Sequence, residues 1–472
     1  MPRTAVINVV GLTERLIGPH TPRISAFRER GALAKIIPAF PAVTCTAQST
    51  YLTGTPPSAH GIVGNGWYNR ELDEVQFWKQ SNHLVHGRKL WEEMREFDPR
   101  FTCAKLFWWY NMYSTADFSI TPRPMYPADG RKVFDIYTSP FSIRSEIKAE
   151  LGDFPFPSFW GPAAGKKTPQ GNPDAASRWI ATSANWIEKK YQPTLSLIYL
   201  PHLDYNLQRF NPVPGASPEN ASPIQDLQQI DGIVGDLIDF FTAASVQVVL
   251  LSEYGLTPVD TPIHLNRLFR KQGWLAIKDE LGLEILDCGA SKVFAVADHQ
   301  VAHIYLNDAS LESAVRELLR NEKNIEQLLA RPGKEALGIS HARAGDLIAV
   351  AAEKAWFTYY YWLDDSKAPD FARTVDIHRK PGYDPVELFL DPTLKLPKLQ
   401  IASRLLKKKL GFRMLMDLIP LDATLIKGSH GRRPDNPLDY PVLITSKPEH
   451  REAPLIQAVD VYSVLKEILS SV

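Results

Sequence analysis

Thr44 is the residue whose type and setting are best suited to chemistry on a phosphoryl group. Extended sequence ends at Val43, and the segment from Thr44 to Thr53 is rich in small hydroxyl side chains. A hydroxyl at a helix N-terminus faces exposed backbone N–H groups and the positive end of the helix dipole, which favours a bound anion. Ordinary N-capping by Thr accounts for the same pattern. Residue types alone leave both interpretations open, a capping residue and a nucleophile.

Two acids and a histidine follow strand-like or glycine-rich sequence farther along the chain. Asp204 follows the apolar run Leu197–Leu200, Glu253 follows Val246–Leu251, and His430 stands in a Gly-Ser-His-Gly sequence. Carboxylate oxygens and imidazole nitrogens are ligands that zinc accepts. An acid after a strand also caps a following helix, and a single His is often structural. These three residues are therefore candidate metal ligands with structural alternatives.

Asn65 is the candidate for binding a charged phosphoryl oxygen. Its amide can donate a hydrogen bond where negative charge gathers in a transition state. It lies between Gly64 and Gly66, a setting that is equally typical of a turn. The sequence therefore indicates either an anion-binding side chain or a turn residue.

The order of residues around Thr44 follows a known pattern. Pro41 stands three residues before Thr44, Thr53-Gly54 and Ser58–Ile62 follow, and Asn65 lies 21 residues after Thr44. This segment resembles the nucleophile region of the type I phosphodiesterases and nucleotide pyrophosphatases, in the alkaline-phosphatase superfamily. The resemblance implies a hydrolase of phosphate esters in which Thr44 is the nucleophile that forms a covalent intermediate. It also implies that Asn65 binds the phosphoryl group.

The resemblance further implies a divalent metal centre, with zinc as the expected ion and one or two ions bound. The ligands that it implies are Asp204, Glu253 and His430. The chain departs from the family pattern where Val10, Gln208 and Tyr254 replace an Asp and two His. A complete two-ion centre is therefore not expected.

Three functions stay open at this point. The first is a metal-dependent phosphodiesterase or pyrophosphatase that acts on a small phosphorylated substrate. The second is a phosphatase or transferase for a specialised biosynthetic intermediate, with an altered metal centre. The third is a non-catalytic relative that binds a phosphorylated ligand, which the replacements at Val10, Gln208 and Tyr254 favour.

Residues in the middle of the chain offer substitutes for the missing ligands. This set comprises His299, His303, Asp376 and His378. Arg373, Arg379 and Lys380 stand close to the last two in sequence and suit either a substrate phosphate or a solvated loop. Two groups of aromatic residues are also notable. We predict that Trp356–Trp362 forms core, and that Trp67 and Tyr68 line the mouth of the site.

Short apolar runs separated by helical patterns predict an α/β fold. The runs are Ala5–Val10, Thr194–Leu200, Val246–Leu251 and Leu347–Ala351. Such runs are typical of a mostly parallel central sheet flanked by helices, here expected to be alkaline-phosphatase-like. We predict a catalytic core over residues 1–263 and 428–472, with an inserted cap region over 264–427.

Composition limits the class of partner. Lys+Arg and Asp+Glu are both 53, so the chain has no global basic field for a nucleic acid polymer. No stretch approaches the roughly 18 apolar residues of a membrane span, so no membrane partner is expected. The three cysteines form no C-x-x-C pair, and the N-terminal apolar run is too short for a signal peptide. These features predict a cytoplasmic protein.

Overall fold

The structure is a computed structural model that describes residues 1–129, 131–168, 171–213, 221–412, 414–446 and 454–471. The strands of the described residues are β1 (Thr4–Val9), β2 (Ala32–Ile37), β3 (Gly66–Asn69), β4 (Glu74–Phe77), β5 (Cys103–Leu106), β6 (Phe118–Pro122), β7 (Ile136–Ser139), β8 (Leu195–Leu200), β9 (Gln247–Leu251), β10 (Thr257–Pro258), β11 (Thr261–Ile263), β12 (Ala276–Glu280), β13 (Leu283–Asp287), β14 (Val293–Asp298), β15 (Val301–Leu306), β16 (Ile325–Leu329), β17 (Leu347–Ala351), β18 (Ala355–Phe357), β19 (Gly428–Ser429), β20 (Val442–Thr445) and β21 (Leu455–Gln457).

A nine-stranded sheet organises the larger hydrophobic core. Its order over the described strands is β21-β2-β20-β9-β1-β8-β5-β6-β7. Strand β1 pairs in parallel with β8 on one side and with β9 on the other. Five of the eight neighbouring pairs are parallel. Every residue of β1 and β8 is buried, because helices cover both faces of the sheet. The predicted fold class is confirmed.

Helices flank this sheet and also occur in the inserted region. Those of the described residues are α1 (Pro22–Arg30), α2 (Thr44–Thr53), α3 (Pro57–His60), α4 (Leu90–Phe97), α5 (Ser142–Leu151), α6 (Ala175–Tyr191), α7 (His202–Arg209), α8 (Ala221–Ala243), α9 (Leu265–Lys271), α10 (Glu312–Arg320), α11 (Arg331–Ala336), α12 (Pro397–Lys409) and α13 (Asp460–Ser470). No helix among the described residues combines the length and apolarity needed to cross a bilayer.

A second core lies in the middle of the chain, around the four-stranded sheet β14-β15-β17-β16. The run Leu347–Ala351, expected in the parallel sheet, is β17 and pairs with antiparallel neighbours here. The predicted aromatic core segment Trp356–Trp362 is buried in this region, as expected. Tyr68 and Phe77, from the hairpin β3–β4, pack into the same core. The inserted region is thus packed together with a hairpin from the first part of the chain, and the domain boundaries stay a prediction.

The ends of three parallel strands place the candidate residues at one edge of the large sheet. Asp204 lies in the first turn of α7, directly after β8, and Glu253 follows β9 by two residues. Asn8 is near the end of β1, which lies between those two strands. The carboxyl ends of parallel strands are where active groups collect in open α/β sheets.

Helix α2 is tied to this edge by a buried hydrogen bond. The Tyr51 hydroxyl donates to the carbonyl of Ser252 at 2.9 Å, next to Glu253. We expect Tyr51→Phe to reduce the free energy of unfolding by about 1 kcal/mol, because a buried carbonyl loses its donor. Urea denaturation measures the change, with Tyr113→Phe, at an exposed ring, as the control. Equal effects of the two variants would show that this bond does not hold the helix.

Candidate active site

The hydroxyl of Thr44 is directed into the site and does not cap its own helix. Helix α2 begins at Thr44, its N-cap residue is Val43, and no side chain of the cap bonds a backbone N–H. Thr44 Oγ1 instead lies 3.2 Å from the hydroxyl of Tyr254. Both side chains are buried. The capping interpretation of Thr44 therefore does not describe its contacts.

Tyr254 connects Thr44 to a buried carboxyl group. The Tyr254 hydroxyl donates to Asp204 Oδ1 at 3.3 Å and lies 3.2 Å from Thr44 Oγ1, a contact in which either hydroxyl can be the donor. The other oxygen of Asp204 accepts from Gln208 Nε2 at 2.7 Å. The Gln208 carbonyl in turn accepts from the Tyr383 hydroxyl at 3.0 Å. A continuous chain of hydrogen bonds therefore runs from Thr44 through Asp204 to the inserted region.

Glu253 is fully buried and is hydrogen-bonded by two amides. Its Oε1 accepts from Asn8 Nδ2 at 2.5 Å and from Gln48 Nε2 at 2.6 Å. Burial raises the pKa of Glu253 to about 8, against the opposing effect of hydrogen bonds that include the Thr44 hydroxyl. Burial likewise raises the pKa of Asp204 to about 7, although Tyr254 and Gln208 act against it. Two carboxyl groups beside Thr44 thus titrate close to neutral pH.

His430 belongs to a stack of four rings across the site. Its ring lies 3.6 Å from that of Tyr254 and 3.7 Å from that of His299, and His299 lies 3.7 Å from Tyr383. The Nδ1 atom of His430 donates to the carbonyl of Ala42 at 2.7 Å. Its Nε2 lies 3.9 Å from Asp204 Oδ1 and has no hydrogen-bond partner among the described residues. Burial and the neighbouring His299 hold the pKa of His430 well below its usual value, so this ring is neutral.

The Asn65 side chain lies beside the first turn of α2, and both ends of its amide are hydrogen-bonded. Its Oδ1 accepts from the backbone N–H of Cys45 at 3.0 Å, and its Nδ2 donates to Asp298 Oδ1 at 3.1 Å. Asp298 also accepts the backbone N–H of Asn65 at 2.7 Å and bonds His299 Nδ1 at 2.9 Å. The second hydrogen of the Asn65 amide stays available to a ligand of the cavity that Asn65 lines.

The structure brings the five sequence candidates, Thr44, Asn65, Asp204, Glu253 and His430, into one site. Sequence reasoning missed the hydrogen-bonding role of Tyr254 and Gln208, which it treated only as lost ligands. It also missed Asp298 as the partner of Asn65. His299 has a positive φ of 60°, which marks the tight turn that places Asp298 next to Asn65. No sequence pattern predicts this turn.

The donor atoms of this site do not fit a two-zinc centre. Where the family pattern needs ligands, Val10 has none, and Gln208 turns an N–H donor toward Asp204. Glu253 Oε1 and both oxygens of Asp204 already accept hydrogen bonds from amides and from Tyr254, and Glu253 Oε2 is the one carboxylate oxygen of the pair without a partner among the described residues. Across the described ranges, no three His, Cys, Asp or Glu side chains are grouped so that they can hold a metal. Structural and catalytic zinc sites use three or four protein ligands.

A cavity of about 380 Å³ opens above Thr44. Its floor includes Thr44, Asn65 and Asp204. Its walls are mostly aromatic rings and prolines, among them Trp78, Trp109, Phe156, Phe159, Trp160 and Pro162. The site therefore combines a small polar floor with a large apolar enclosure.

The remaining sequence candidates have other roles. His303 is buried and bonds the Val63 carbonyl, which makes it structural, whereas Asp376 and His378 line the cavity. Arg379 pairs with Asp370, and Lys380 is buried between Asp384 and Glu387, so neither is free for a phosphate. The prediction for Trp67 and Tyr68 is wrong: both are buried and neither lines the cavity. They lie on β3, which faces the inserted region.

Comparisons with known proteins agree with this architecture. The model of the family "Type I phosphodiesterase / nucleotide pyrophosphatase" matches residues 4–384. An uncharacterized pyrophosphatase/phosphodiesterase of Schizosaccharomyces pombe is 22% identical over 275 residues, which are 54% of this chain and 46% of that protein. The chain thus spans about half the length of this curated relative.

Two solved structures share the fold along nearly the whole chain. Phosphonoacetate hydrolase from Sinorhizobium meliloti 1021, in complex with phosphonoformate, has a TM-score of 0.60 at 14% identity and covers 99% of this chain and 96% of its own. An inactive form of murine ectonucleotide pyrophosphatase/phosphodiesterase 5, in complex with AMP, has a TM-score of 0.57 at 13% identity and covers 100% and 96%.

The fold is that of an alkaline-phosphatase-like α/β protein, as the sequence predicts. Within that class, the chain belongs to the type I phosphodiesterase/nucleotide pyrophosphatase family, whose members are hydrolases that act on phosphate esters.

Titration of the two buried carboxyl groups gives the stability a defined pH dependence. Glu253 and Asp204 keep their protons in the folded chain up to about pH 8 and about pH 7, whereas the unfolded chain releases them near pH 4. The unfolded state then binds fewer protons, so stability falls as pH rises from about 4 to about 8. We expect Glu253→Gln to gain stability relative to wild type across that window.

Thermal unfolding at pH 5, 6, 7 and 8 measures this difference. The control is Glu150→Gln, at an exposed position on α5, which we expect to follow the wild-type profile. A constant offset between Glu253→Gln and wild type at every pH would contradict the assigned titration.

The donor set also predicts how the protein handles zinc. After incubation with zinc and desalting, we expect less than one ion per wild-type chain by elemental analysis. The combined variant Val10→Asp, Gln208→His, Glu253→Asp and Tyr254→His restores the family ligands and should retain zinc. A tightly held ion in wild type that Asp204→Asn removes would show that the donor set does bind metal.

Proposed function

We propose that this protein cleaves phosphate esters of small molecules, with Thr44 as the nucleophile and a covalent phosphoryl-Thr44 intermediate. The observation that carries the proposal is the placement of the Thr44 hydroxyl. It lies on the floor of the cavity, at the start of α2, and it bonds Tyr254 instead of capping the helix. Membership of a phosphodiesterase family supports the same reaction class.

The hydrogen-bonded chain provides a route for the proton of Thr44. As Thr44 Oγ1 forms a bond to phosphorus, its proton passes to Tyr254 Oη, and the Tyr254 proton passes to Asp204 Oδ1. The bond from phosphorus to the ester oxygen breaks, and the leaving group takes a proton from solvent to depart as the alcohol. Water then attacks phosphorus, its second proton goes to solvent, and the bond between phosphorus and Thr44 Oγ1 breaks, which releases phosphate from a monoester or a monoester from a diester. Thr44 regains its proton from Tyr254, and Tyr254 regains its own from Asp204. A carboxyl group with a pKa of about 7 is suited to accept a proton at neutral pH.

Two features are placed to hold the phosphoryl oxygens. Asn65 lines the cavity and keeps a second amide hydrogen besides the one that it donates to Asp298, and its position is fixed by Cys45 and Asp298. The first turn of α2 presents the positive end of a helix dipole beside Thr44. We assign Asn65 as the residue that stabilises the charge developing on a phosphoryl oxygen.

The proposed proton route runs through side chains alone, because the donor atoms of the described residues do not fit the two-zinc centre. This difference favours the second candidate function, a phosphatase or transferase for a specialised intermediate with an altered centre. Glu253 and His430 are then groups that shape the site beside Thr44 and Asp204, not ligands.

The cavity indicates what the substrate carries besides phosphorus. One relative binds AMP and another phosphonoformate, so both accept small phosphorylated or phosphonate ligands. In this chain the walls above Thr44 are aromatic rings and prolines. We propose a small substrate with an apolar organic group, and no nucleic acid polymer.

Removal of the Thr44 hydroxyl tests the nucleophile. We expect Thr44→Ala to lower the hydrolysis of p-nitrophenyl phosphate and bis(p-nitrophenyl) phosphate by roughly a thousandfold or more, because the covalent step is lost. Thr182→Ala removes an exposed Thr hydroxyl on α6 and should leave the rate unchanged. Mass spectrometry of quenched wild type should show the phosphoryl adduct. Undiminished turnover by Thr44→Ala would overturn the proposal.

A series of n-alkyl phosphates tests the apolar wall. Each added methylene that enters the cavity contributes about 0.8 kcal/mol, so the inhibition constant should fall about fourfold per carbon until the cavity is filled. Trp160→Ala opens the wall and should flatten this dependence, whereas Trp274→Ala, outside the cavity, should not. Inhibition independent of chain length would argue against an apolar substrate.

A further inference from the structure

The segment that carries α12 leaves and rejoins the protein at the wall of the cavity. Before it, the backbone N–H of Asp391 donates to the carbonyl of Leu418 at 2.8 Å. After it, Leu418 and Ile419 both line the cavity, and the Ile419 N–H donates to the Arg373 carbonyl at 3.0 Å. The two ends of the segment that carries α12 are therefore fixed at the wall of the cavity.

Helix α12 turns an apolar stripe to the solvent. Leu399, Leu406 and Leu410 are 66%, 57% and 65% exposed. Their spacings of seven and four residues place them on one side of α12 and of the residue that follows it, Leu410, whose N–H donates to the Leu406 carbonyl at 2.9 Å. Ile401 and Arg404 are partly covered on the opposite side. A surface helix of a globular protein normally directs such a stripe toward the core, so this orientation calls for a partner.

Positive charge flanks the stripe. Residues 395–409 contain six Lys and Arg and no Asp or Glu, although the whole chain is neutral. Lys407 and Lys409 are exposed on either side of Leu406 along the helix surface. Arg404 is held by Asp417 at 2.8 Å and anchors the helix to the following segment. Exposed leucines bordered by lysines are typical of a helix that lies in the surface of an anionic bilayer.

The rim of the cavity has the same character. Tyr126 and Phe134 line the cavity and are also exposed to solvent. Lys132 lies 5.9 Å and 5.8 Å from the centres of their rings and lines the cavity too. Aromatic rings next to a cation are suited to the headgroup region of a membrane. The rim is therefore an apolar, basic surface at the cavity, and α12 is a second one on the segment that rejoins the cavity wall at Leu418.

We propose that the outward face of α12, defined by Leu399, Leu406 and Leu410, docks on the surface of an anionic lipid bilayer. The helix lies in the interface and does not cross it, so this proposal departs from the expectation of no membrane partner, which considered only a segment that spans the bilayer. Charge decides against a second copy of this chain, because a symmetric contact would bring two strongly positive helices together. An anionic bilayer supplies both the apolar layer that the leucines need and the negative charge that the lysines need.

Docking also defines the class of substrate, a step that rests on the proposed function. A bilayer holds amphiphilic phosphate esters, in which a charged phosphoryl group is linked to a long apolar chain. Such a molecule matches a cavity with a polar floor at Thr44 and apolar walls that continue to the rim. We infer that the protein takes an amphiphilic phosphate ester from the bilayer to which α12 binds.

Sedimentation with vesicles tests the docking without reference to turnover. Vesicles of phosphatidylcholine with 30% phosphatidylglycerol, roughly the anionic content of a charged leaflet, are compared with phosphatidylcholine alone. We expect binding to the anionic vesicles, weakened by high salt. The triple variant Leu399→Ser, Leu406→Ser and Leu410→Ser should lower the partition coefficient at least about tenfold. The control Leu72→Ser, Leu281→Ser and Leu363→Ser removes three exposed leucines elsewhere and should bind as wild type does.

The outcomes separate docking from catalysis. Thr44→Ala should still bind the vesicles, so a failure of the Thr44 chemistry leaves the docking result intact. The α12 triple variant should retain wild-type hydrolysis of soluble p-nitrophenyl esters. Docking is overturned if wild type does not sediment with anionic vesicles, or if both triple variants bind equally. It is also overturned if the α12 variant changes only self-association, measured by analytical ultracentrifugation, which would identify a second copy as the occupant.

Discussion

The site depends on the burial of two carboxyl groups, Asp204 and Glu253, beside Thr44, the proposed nucleophile, and no cationic side chain of the described residues pairs with either acid. A buried carboxylate is unfavourable by several kcal/mol unless it is paired or hydrogen-bonded. Here the compensation comes from neutral donors: amides from Asn8 and Gln48 for Glu253, and Gln208 with Tyr254 for Asp204. The donors come from β1, α2, α7 and the residues after β9, so the large sheet must bring four separate segments together.

This constraint explains why the departures from the family pattern occur as a group. A ligand carboxylate at position 10 would face Glu253 across the ends of β1 and β9, and without a cation the two would repel. Gln208 donates to Asp204 through Nε2 and accepts from Tyr383 through its carbonyl oxygen, so both ends of its amide are bonded without a metal. Tyr254 donates to Asp204 and packs flat against His430. Val10 thus removes a charge, and Gln208 and Tyr254 supply neutral donors to Asp204.

The sequence predicted the strands of the molecule better than the hydrogen bonds of its site. Apolar runs such as Val246–Leu251 identify buried strands, but Leu347–Ala351 shows that an apolar run does not reveal whether its neighbours are parallel or antiparallel. The position of Thr44 was predictable because a local motif surrounds it. The role of Tyr254 was not, since its partner Asp204 lies 50 residues away and a tyrosine in a ligand position looks only like a loss. Asp298, which holds Asn65 across 233 residues, was beyond any local pattern.

A neutral network also bears on which phosphate esters suit the site. A dianionic monoester would place two negative charges beside Asp204 and Glu253 in a cavity with apolar walls, and would raise the pKa of both acids further. Asp204 would then stay protonated and could not accept the proton that Thr44 releases through Tyr254. A monoanionic diester brings half that charge, so Asp204 keeps a larger ionised fraction at the same pH. Under the proposed mechanism, the electrostatics of the buried acids thus favour diesters over monoesters, because Asp204 is more available as a base.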